Sequence, residues 1–273
     1  MPYPLWAIRA SVHAITTILG VLGIALGSVT PTYADVITCG DVLGPGGRFQ
    51  LEQDLTCPSR TALTIQDGAI LDLNGHSVTC STSTIRCVVL TGKGAQLRNG
   101  TVARAFHEII VLEGTGGHTV RDVTSSPPTD GNIFITSDNN RLINVTAESV
   151  VGSAFRIRGN HNLLTGNVAL CSNLALSGCI EVFGHENRLV DSFATSFVGL
   201  PGTGFFVGGN NNQLRRNRAM HNENGIVVTG TGNDLTRNTA VENSLDLRDE
   251  NGDCAHNTWR RNIFETSDPA CIR

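Results

Sequence analysis

The sequence has very little lysine and little charge of either sign. Lys93 is its single lysine, charged side chains make up 16% of its 273 residues, and the formal net charge is −4. Arg9 is the only charged residue before Asp35, so 19 basic groups (the total of 20 less Arg9) oppose 24 acidic ones beyond that point. A protein that binds nucleic acid normally presents a clear excess of basic residues on one face. The charge balance therefore predicts that nucleic acid is not a partner.

Long apolar runs are also missing beyond the N-terminus, so no later segment is expected to span a membrane. The N-terminal segment combines Arg9 with an apolar stretch at 14–29 and with small residues ending at Ala34. These are the features of a secretory signal peptide, here 1–34, and they predict an extracytoplasmic protein, in the periplasm or outside the cell. A single membrane anchor is the alternative interpretation of the same segment.

Metal-binding patterns are absent as well. The sequence has no C-x-x-C motif, and its histidines do not cluster with its eight cysteines, so we predict neither a metal site nor a cofactor. An even number of cysteines in an exported chain is typical of disulfide bonds, although eight cysteines allow roughly a hundred pairings. Pairing of near neighbours predicts four disulfides: Cys39–Cys57, Cys80–Cys87, Cys171–Cys179 and Cys254–Cys271.

One phrase recurs through the chain: an Asn, a Leu two residues later, a second Asn shortly after, and then a short apolar run. Its clearest copies begin at Asn212 and Asn233. Successive copies are 21 to 25 residues apart, and a period this regular is typical of a solenoid. The copies begin at Ala95, His118, Asn140, Asn162, Asn187, Asn212, Asn233 and Asn257.

The content of each repeat distinguishes between solenoids. A leucine-rich repeat needs an L-x-x-L-x-L pattern and room for a helix, whereas the segments between the apolar runs here are polar and rich in glycine. Within each run the apolar residues alternate, as in Ile133/Ile135, which places both on one side of a strand. Three short strands and three corners fit into about 22 residues. The pattern therefore predicts an all-β parallel β-helix of about eight to nine coils, with Asn side chains stacked at one corner.

The Asn-x-Leu-x-x-Asn repeats, the opening segment 71–78 and the closing segment 254–271 resemble the right-handed parallel β-helix repeat proteins of the pectate-lyase-like superfold, in their secreted bacterial form. The resemblance covers nearly all of the chain after residue 35. It implies an N-terminal cap at 35–62, a right-handed parallel β-helix at 63–253, and a C-terminal coil and cap at 254–273, with disulfide-stapled ends. We expect a monomer.

The resemblance implies a polysaccharide or oligosaccharide partner without implying one activity, because the family contains lyases, hydrolases, epimerases and sugar-binding modules. The G-H-G and R-I-K motifs of pectin hydrolases and the D-P-H-D motif of mannuronan epimerases are not found. A lyase needs a base that removes the proton at C5 of the sugar. Lys93 is the single lysine, and its position in a glycine-flanked corner disfavours it as this base. An arginine is therefore the remaining candidate for the base. Enzymatic activity stays open, with a polysaccharide lyase or epimerase as the class to test.

A column of outward-facing residues is the candidate site. The residues between the paired apolar ones are Phe134, Arg156, Glu181 and Phe206 on four consecutive coils. We predict that Phe134 and Phe206 stack on sugar rings and that Arg156, with Arg158 beside it, binds the carboxylate of an acidic sugar. Glu181 would hold Arg156 or act as the acid–base group, so Arg156 and Glu181 are the candidate catalytic residues. The alternative is a surface ion pair worth about 0.2–1 kcal/mol.

Insertions and other polar residues supply weaker signals. Two coils are lengthened, at 171–179 and 197–204, immediately before the strands of Glu181 and Phe206, and such insertions often line a binding face. His161 and His185 occupy matching corners, where they would meet as a pair or simply be exposed. A second face is expected to present scattered surface arginines: Arg98, Arg121, Arg215 and Arg237.

Three function classes follow from the sequence. The first is a secreted β-helix that binds or acts on a polysaccharide, favoured by the resemblance and by the aromatic, Arg, Glu, aromatic column. The second is a lyase or epimerase for uronic-acid polymers. The third is a non-catalytic extracytoplasmic scaffold or interaction protein.

Overall fold

The computed structural model describes residues 36–58, 61–81, 83–126, 132–172, 178–196 and 202–272. Within these ranges the regular secondary structure is entirely β-strand, and each strand runs parallel to its neighbours. The chain winds into a parallel β-solenoid of about nine turns. The predicted all-β parallel β-helix is therefore confirmed. The predicted signal peptide, 1–34, lies outside the described residues.

Sheet 1 contains the outward column of the candidate site. Its strands stack in chain order as an eleven-stranded sheet along the described solenoid. The strands are Asp41–Leu43, Leu63–Gln66, Arg86–Thr91, Glu108–Leu112, Asn132–Ile135, Phe155–Ile157, Ile180–Val182, Thr203–Val207, Asn224–Val228, Leu245–Asp249 and Ser267–Asp268.

Sheet 2 contains the Leu position of each repeat. Its strands follow those of sheet 1 around each coil and also pair in chain order. They are Arg48–Gln50, Ile70–Asp72, Gln96–Ala103, Thr119–Ser126, Arg141–Ile143, Leu163–Thr165, Arg188–Val190, Gln213–Arg215, Asp234–Thr236 and Thr258–Arg260.

Sheet 3 completes each coil, and it shares with sheet 2 the two long strands Gln96–Ala103 and Thr119–Ser126. In the other coils a tight corner separates the two sheets. The remaining strands of sheet 3 are Leu55–Cys57, Ser77–Cys80, Thr146–Ser149, Val168–Cys171, Phe193–Ser196, Arg218–Met220 and Thr239–Val241.

The core is built from the inward residues of the three sheets. The Leu position of the repeat lies in register on sheet 2 from coil to coil and ends at Trp259. Trp259 is buried, and its Nε1 donates a hydrogen bond of 3.0 Å to Asp249 Oδ2. This tryptophan fills the core of the final coil, which agrees with its place at the Leu position. The inward side chains of sheet 2 are Leu71, Leu97, Val120, Leu142, Leu164, Leu189, Leu214, Leu235 and Trp259.

Buried asparagines join successive coils at the corner between sheets 1 and 2. In each step the backbone N–H of one Asn donates a hydrogen bond of 2.8–2.9 Å to the side-chain oxygen of the Asn one coil later. This stack is the one predicted from the repeat. It consists of Asn140, Asn162, Asn187, Asn212, Asn233 and Asn257.

The second Asn of the repeat forms a ladder of its own, which we did not predict. At the corner between sheets 2 and 3, the N–H of Asn217 donates to Asn238 Oδ1 at 2.9 Å, and the N–H of Asn238 donates to Asn262 Oδ1 at 2.8 Å. The two asparagines of each repeat therefore hold two different corners. The function of both is to satisfy backbone N–H groups that have left the strand ladders.

All four predicted disulfides are present, and the described residues contain no free cysteine. Cys39–Cys57 and Cys254–Cys271 lie near the two ends of the solenoid. Cys80–Cys87 and Cys171–Cys179 each join a strand of sheet 3 to the start of the next sheet 1 strand, and so close the corner where the chain makes an excursion. Four disulfides are typical of an oxidising, extracytoplasmic compartment. Among the residues described, none belongs to a helix long and apolar enough to cross a membrane.

Candidate functional site

The four residues of the predicted column lie side by side on the outer face of sheet 1. Strand pairing places Phe134 opposite Arg156, Arg156 opposite Glu181, and Glu181 opposite Phe206. Since neighbouring strands are about 4.8 Å apart, the column is about 14 Å long. The sequence therefore predicted which of these side chains are neighbours.

Arg156 and Glu181 are bonded to each other but differ in exposure. Arg156 Nε donates a hydrogen bond of 2.7 Å to Glu181 Oε2, and its side chain is 35% exposed while that of Glu181 is 1% exposed. A second guanidinium nitrogen donates to Ser153 Oγ at 3.4 Å. The expected ion pair is thus present, but it is not a surface pair, because Glu181 is buried. Glu181 is flanked by two larger side chains, Arg156 and Phe206, and its carboxylate is buried at the base of the column.

Arg158 contacts an aromatic ring and does not extend the polar contacts of Arg156. Its guanidinium carbon lies 5.3 Å from the centroid of the Phe134 ring, within the range of a cation–π interaction. The side chain of Arg158 is exposed, and Phe134 is half-buried beneath it. One face of the Phe134 ring is therefore already covered by this chain's own arginine.

Phe183 is a site residue that the sequence analysis missed. It follows the strand Ile180–Val182, and its ring lies 5.7 Å from that of Phe206 at an interplanar angle of 54°. Phe183 is 41% exposed, so the pair presents aromatic surface to solvent. Its distance of two residues from Glu181 was the available signal, because residues two apart in an extended chain share a face.

A glycine allows the two rings to lie against the sheet. A Cβ atom at Gly208 would come within 3.2 Å of both Phe183 Cδ1 and Phe206 Cε1, so a larger residue would displace one ring. Gly208 follows Val207 directly after the strand of Phe206. The platform of Phe183 and Phe206 thus depends on a residue without a side chain at this position.

Other titratable groups do not join this site. His161 and His185 do not pair with each other: His161 Nδ1 lies 3.4 Å from Glu186 Oε2, and His185 Nδ1 accepts a hydrogen bond of 2.9 Å from the backbone N–H of Asn210. Lys93 lies at a corner three coils before Arg156. In the part of the chain that the structure covers, no group of three His, Cys, Asp or Glu residues is placed to hold a metal ion.

A second charged group lies on sheet 1, three coils from Glu181. Arg86 Nε lies 3.3 Å from Glu108 Oε2, and Arg86 NH1 lies 2.9 Å from Glu113 Oε2. The arginine bridges the two carboxylates across the outer face of the sheet. The sequence analysis did not identify this group, because its members are separated by up to 27 residues in the chain.

We expected the two insertions, at 171–179 and 197–204, to flank the column, but 173–177 and 197–201 lie outside the described residues. Within the described ranges, Gly178 contacts the column from one side. A Cβ atom at Gly178 would lie 2.7 Å from Phe206 Cβ, so the chain returning from the first insertion passes directly beside Phe206. That close approach places the end of the first insertion next to the aromatic platform.

No protein-family model and no curated protein matches this chain. Solved structures that are similar to it include the following two. The first is DFA-IIIase from Arthrobacter chlorophenolicus A6 without its lid, at 12% identity and a TM-score of 0.44, over 82% of this chain and 61% of that chain. The second is the A-module of mannuronan C-5 epimerase AlgE4 from Azotobacter vinelandii, at 10% identity and a TM-score of 0.37, over 83% of this chain and 86% of that chain. Our chain thus spans about three fifths of the first structure's length. A likeness of this degree concerns the fold, which does not imply an activity.

Proposed function

We propose that this protein is an extracytoplasmic polysaccharide-binding β-helix whose ligand lies along the outer face of sheet 1. The observation that supports this most directly is the exposed ring of Phe183 packed on Phe206, whose neighbour on the sheet, Glu181, is bonded to Arg156. Aromatic faces beside a few oriented polar groups are a common composition of ligand sites. A sugar ring offers the matching surfaces, an apolar face and a rim of hydroxyl groups.

Each residue of the column has a definite role in this proposal. Phe183 and Phe206 form the stacking platform, and Arg156 directs its remaining donors to hydroxyl or carboxylate oxygens of the sugar. Glu181 is the positioning residue that fixes the guanidinium through the 2.7 Å bond. Phe134, two coils before Glu181, forms a second platform together with Arg158. The guanidinium of Arg158 is the outer surface of this platform.

The geometry favours binding over catalysis at this site. A general acid or base must reach the substrate proton within hydrogen-bond distance, directly or through one water. Glu181 is 1% exposed and is bonded to Arg156, so its carboxylate faces the protein. Arg156 is a permanent hydrogen-bond donor. A lyase acting through this pair is therefore the less favoured function.

The test is a binding titration of the folded protein with neutral and uronic-acid oligosaccharides, comparing wild type with Phe183→Ala. We expect Phe183→Ala to weaken binding about tenfold, because a stacking contact of about 1.4 kcal/mol is lost. Phe106→Ala is the matched control, since Phe106 is 48% exposed and lies three coils away. It should bind as wild type does.

Two results would overturn the proposal. Unchanged affinity of Phe183→Ala would show that the aromatic platform is not part of the binding site. Absence of carbohydrate binding in the wild type would favour the scaffold alternative. Ultraviolet absorbance of unsaturated product, recorded in the same titration, would show lyase activity if a base other than Glu181 were present.

A further inference from the structure

A cleft of about 430 Å³ opens on the outer face of sheet 2, away from the column described above. Arg188 lies in one column of this face, while Arg215 and Arg260 lie two strands apart in the next column. The cleft extends over four coils, about 14 Å at the usual strand spacing. Arginines make up half of the residues that line it: Arg188, Arg215, Arg237, Arg260 and Arg261.

Most of this positive charge is not neutralised by the protein. Asp234 is the only acidic residue among the lining residues, and its Oδ2 lies 3.7 Å from a guanidinium nitrogen of Arg260. The nearby Asp191 is bonded to Arg216 through two contacts of 2.6 Å, and the charge of Arg215 also lowers the pKa of Asp191. Within the described ranges, no side-chain hydrogen bond or ion pair is made by the remaining four arginines: Arg188, Arg215, Arg237 and Arg261.

The backbone at the edge of the cleft provides an independent observation. Arg237 and Arg261 have φ of 59° and 54°, in the left-handed region that long side chains rarely adopt. At the equivalent corner five earlier coils have Asn99, Asp122, Asn144, Gly166 and Asp191, and the next coil has Arg216, whose φ is 56° and which is bonded to Asp191. The last three coils thus have arginine at this corner, and Arg237 and Arg261, unlike Arg216, have no side-chain partner in the described ranges that accounts for it.

We propose that this cleft binds an oligosaccharide that bears carboxylate or sulfate groups. Guanidinium groups bind both anions through paired, charge-assisted hydrogen bonds. Arginines on successive or alternate coils, separated by multiples of about 4.8 Å, suit an anion repeated along a chain, and the cleft has room for roughly three sugar rings. Gln213 in the cleft supplies amide groups for sugar hydroxyls.

Single-stranded nucleic acid fits the same cleft less well. Proteins that bind single strands combine basic grooves with aromatic side chains on which bases stack, and among the described residues no aromatic side chain lines this cleft. The proposal goes beyond the sheet 1 site and stands independently of it, because the two sites share no residue.

The test compares Arg237→Asn/Arg261→Asn with wild type in titrations with a heparin tetrasaccharide, tetragalacturonate, maltotetraose and a short oligothymidylate. Asparagine tolerates the left-handed backbone, so the variant keeps the fold while it removes two guanidinium groups. We expect both anionic sugars to bind the variant at least about tenfold more weakly and maltotetraose to show no difference. Added salt should weaken wild-type binding.

Arg104→Asn is the matched control. Arg104 is an exposed arginine with the same φ of 59°, but it lies at a different corner, outside the cleft. It should bind both anionic sugars as wild type does. All of these titrations are repeated in the Phe183→Ala background, which weakens the sheet 1 site, so that a loss of anionic-sugar binding reports on the cleft and failure of this proposal is distinguishable from failure of the sheet 1 site.

Four results would overturn the proposal: wild type that binds neither anionic sugar, a double variant that binds as wild type, an equal loss in Arg104→Asn, or tighter binding of the oligothymidylate than of either sugar. The heparin and galacturonate titrations show whether sulfate or carboxylate is the preferred anion.

Discussion

Arg156 donates a 2.7 Å hydrogen bond to Glu181 on the next coil, and the arginine alone of the two reaches solvent. The negative charge of the buried Glu181 carboxylate is therefore compensated by a half-exposed cation, Arg156. Removal of one partner from a buried ion pair costs much more than removal of a surface pair. This relationship makes the pair a contributor to stability as well as to the proposed site.

Arg156→Ala is expected to lower the free energy of unfolding by about 1–3 kcal/mol, since it removes a charge-assisted bond to a buried group. The surface ion pair considered in the sequence analysis would contribute only about 0.2–1 kcal/mol. Adding Glu181→Gln to Arg156→Ala should recover part of the loss, because the buried charge is then gone. Arg158→Ala is the control and should cost less than about 1 kcal/mol. Urea denaturation of the four proteins measures these differences, and an unchanged midpoint for Arg156→Ala would contradict the prediction.

His118 replaces asparagine in the first ladder and makes stability depend on pH. Its Nδ1 accepts a hydrogen bond of 3.1 Å from the backbone N–H of Ala95, and its Nε2 lies 2.8 Å from the carbonyl oxygen of Glu113. Burial lowers the pKa of His118 below its usual 6.5, while the bond to the Glu113 carbonyl acts in the opposite direction. The folded state thus holds this histidine in its neutral form.

The sign of the effect follows from proton binding. Because the unfolded chain binds a proton at His118 more readily than the folded chain, stability is full above pH 6.5 and is lost as the pH falls towards the folded pKa. His118→Asn restores the ladder residue and removes this dependence. The difference in unfolding free energy between wild type and His118→Asn should shift against wild type as the pH is lowered from 7.5 to about 5. A difference that stays constant across this range would show that His118 does not titrate as inferred.

The fold was predictable from the sequence because it depends on local, repeated signals. The spacing of Asn212 and Asn233, and the alternation of Ile133 and Ile135, specify a coil length and a strand face without knowledge of any distant contact. Register then follows, since each Asn must bond to its counterpart one coil later. Column neighbours such as Arg156 and Glu181 were predictable for the same reason.

Exposure within the site was not predictable in this way. Whether Glu181 reaches solvent depends on the size of its neighbours on two other coils, and whether Phe183 contacts Phe206 depends on a glycine at 208. The cleft on sheet 2 combines residues of four coils with residues at a corner whose conformation disfavours arginine. None of these relationships is local in sequence. Inspection of one repeat at a time therefore predicts only scattered surface arginines.

Asn212 should be a strong stability determinant. Its Oδ1 accepts the backbone N–H of Asn187 at 2.8 Å, and its Nδ2 donates to the carbonyl of Gly184 at 3.1 Å, all in a fully buried position. Asn212→Ala leaves both backbone groups without these partners, at a cost of about 1–3 kcal/mol for each unsatisfied group. The neighbouring Asn211 is exposed and has φ of 56°, so Asn211→Gly keeps its conformation and is the control. Equal midpoints for the two variants in thermal melts would contradict a role for the ladder.

Arg237 is expected to lower the free energy of unfolding, although we propose that it binds ligand in the cleft. A left-handed conformation costs a residue with a Cβ atom about 1–2 kcal/mol, and the side chain of Arg237 makes no hydrogen bond or ion pair within the described ranges that would offset it. Arg237→Gly removes the steric cost but loosens the unfolded chain, so we expect a net gain of about 0.5–1 kcal/mol in unfolding free energy. Arg215→Gly provides the contrast, because Arg215 lies in a strand and glycine there should destabilise the protein. Chemical denaturation of both variants is the measurement. A loss of stability in Arg237→Gly would mean that the arginine is held for folding, and the argument from backbone strain for the cleft would fail with it.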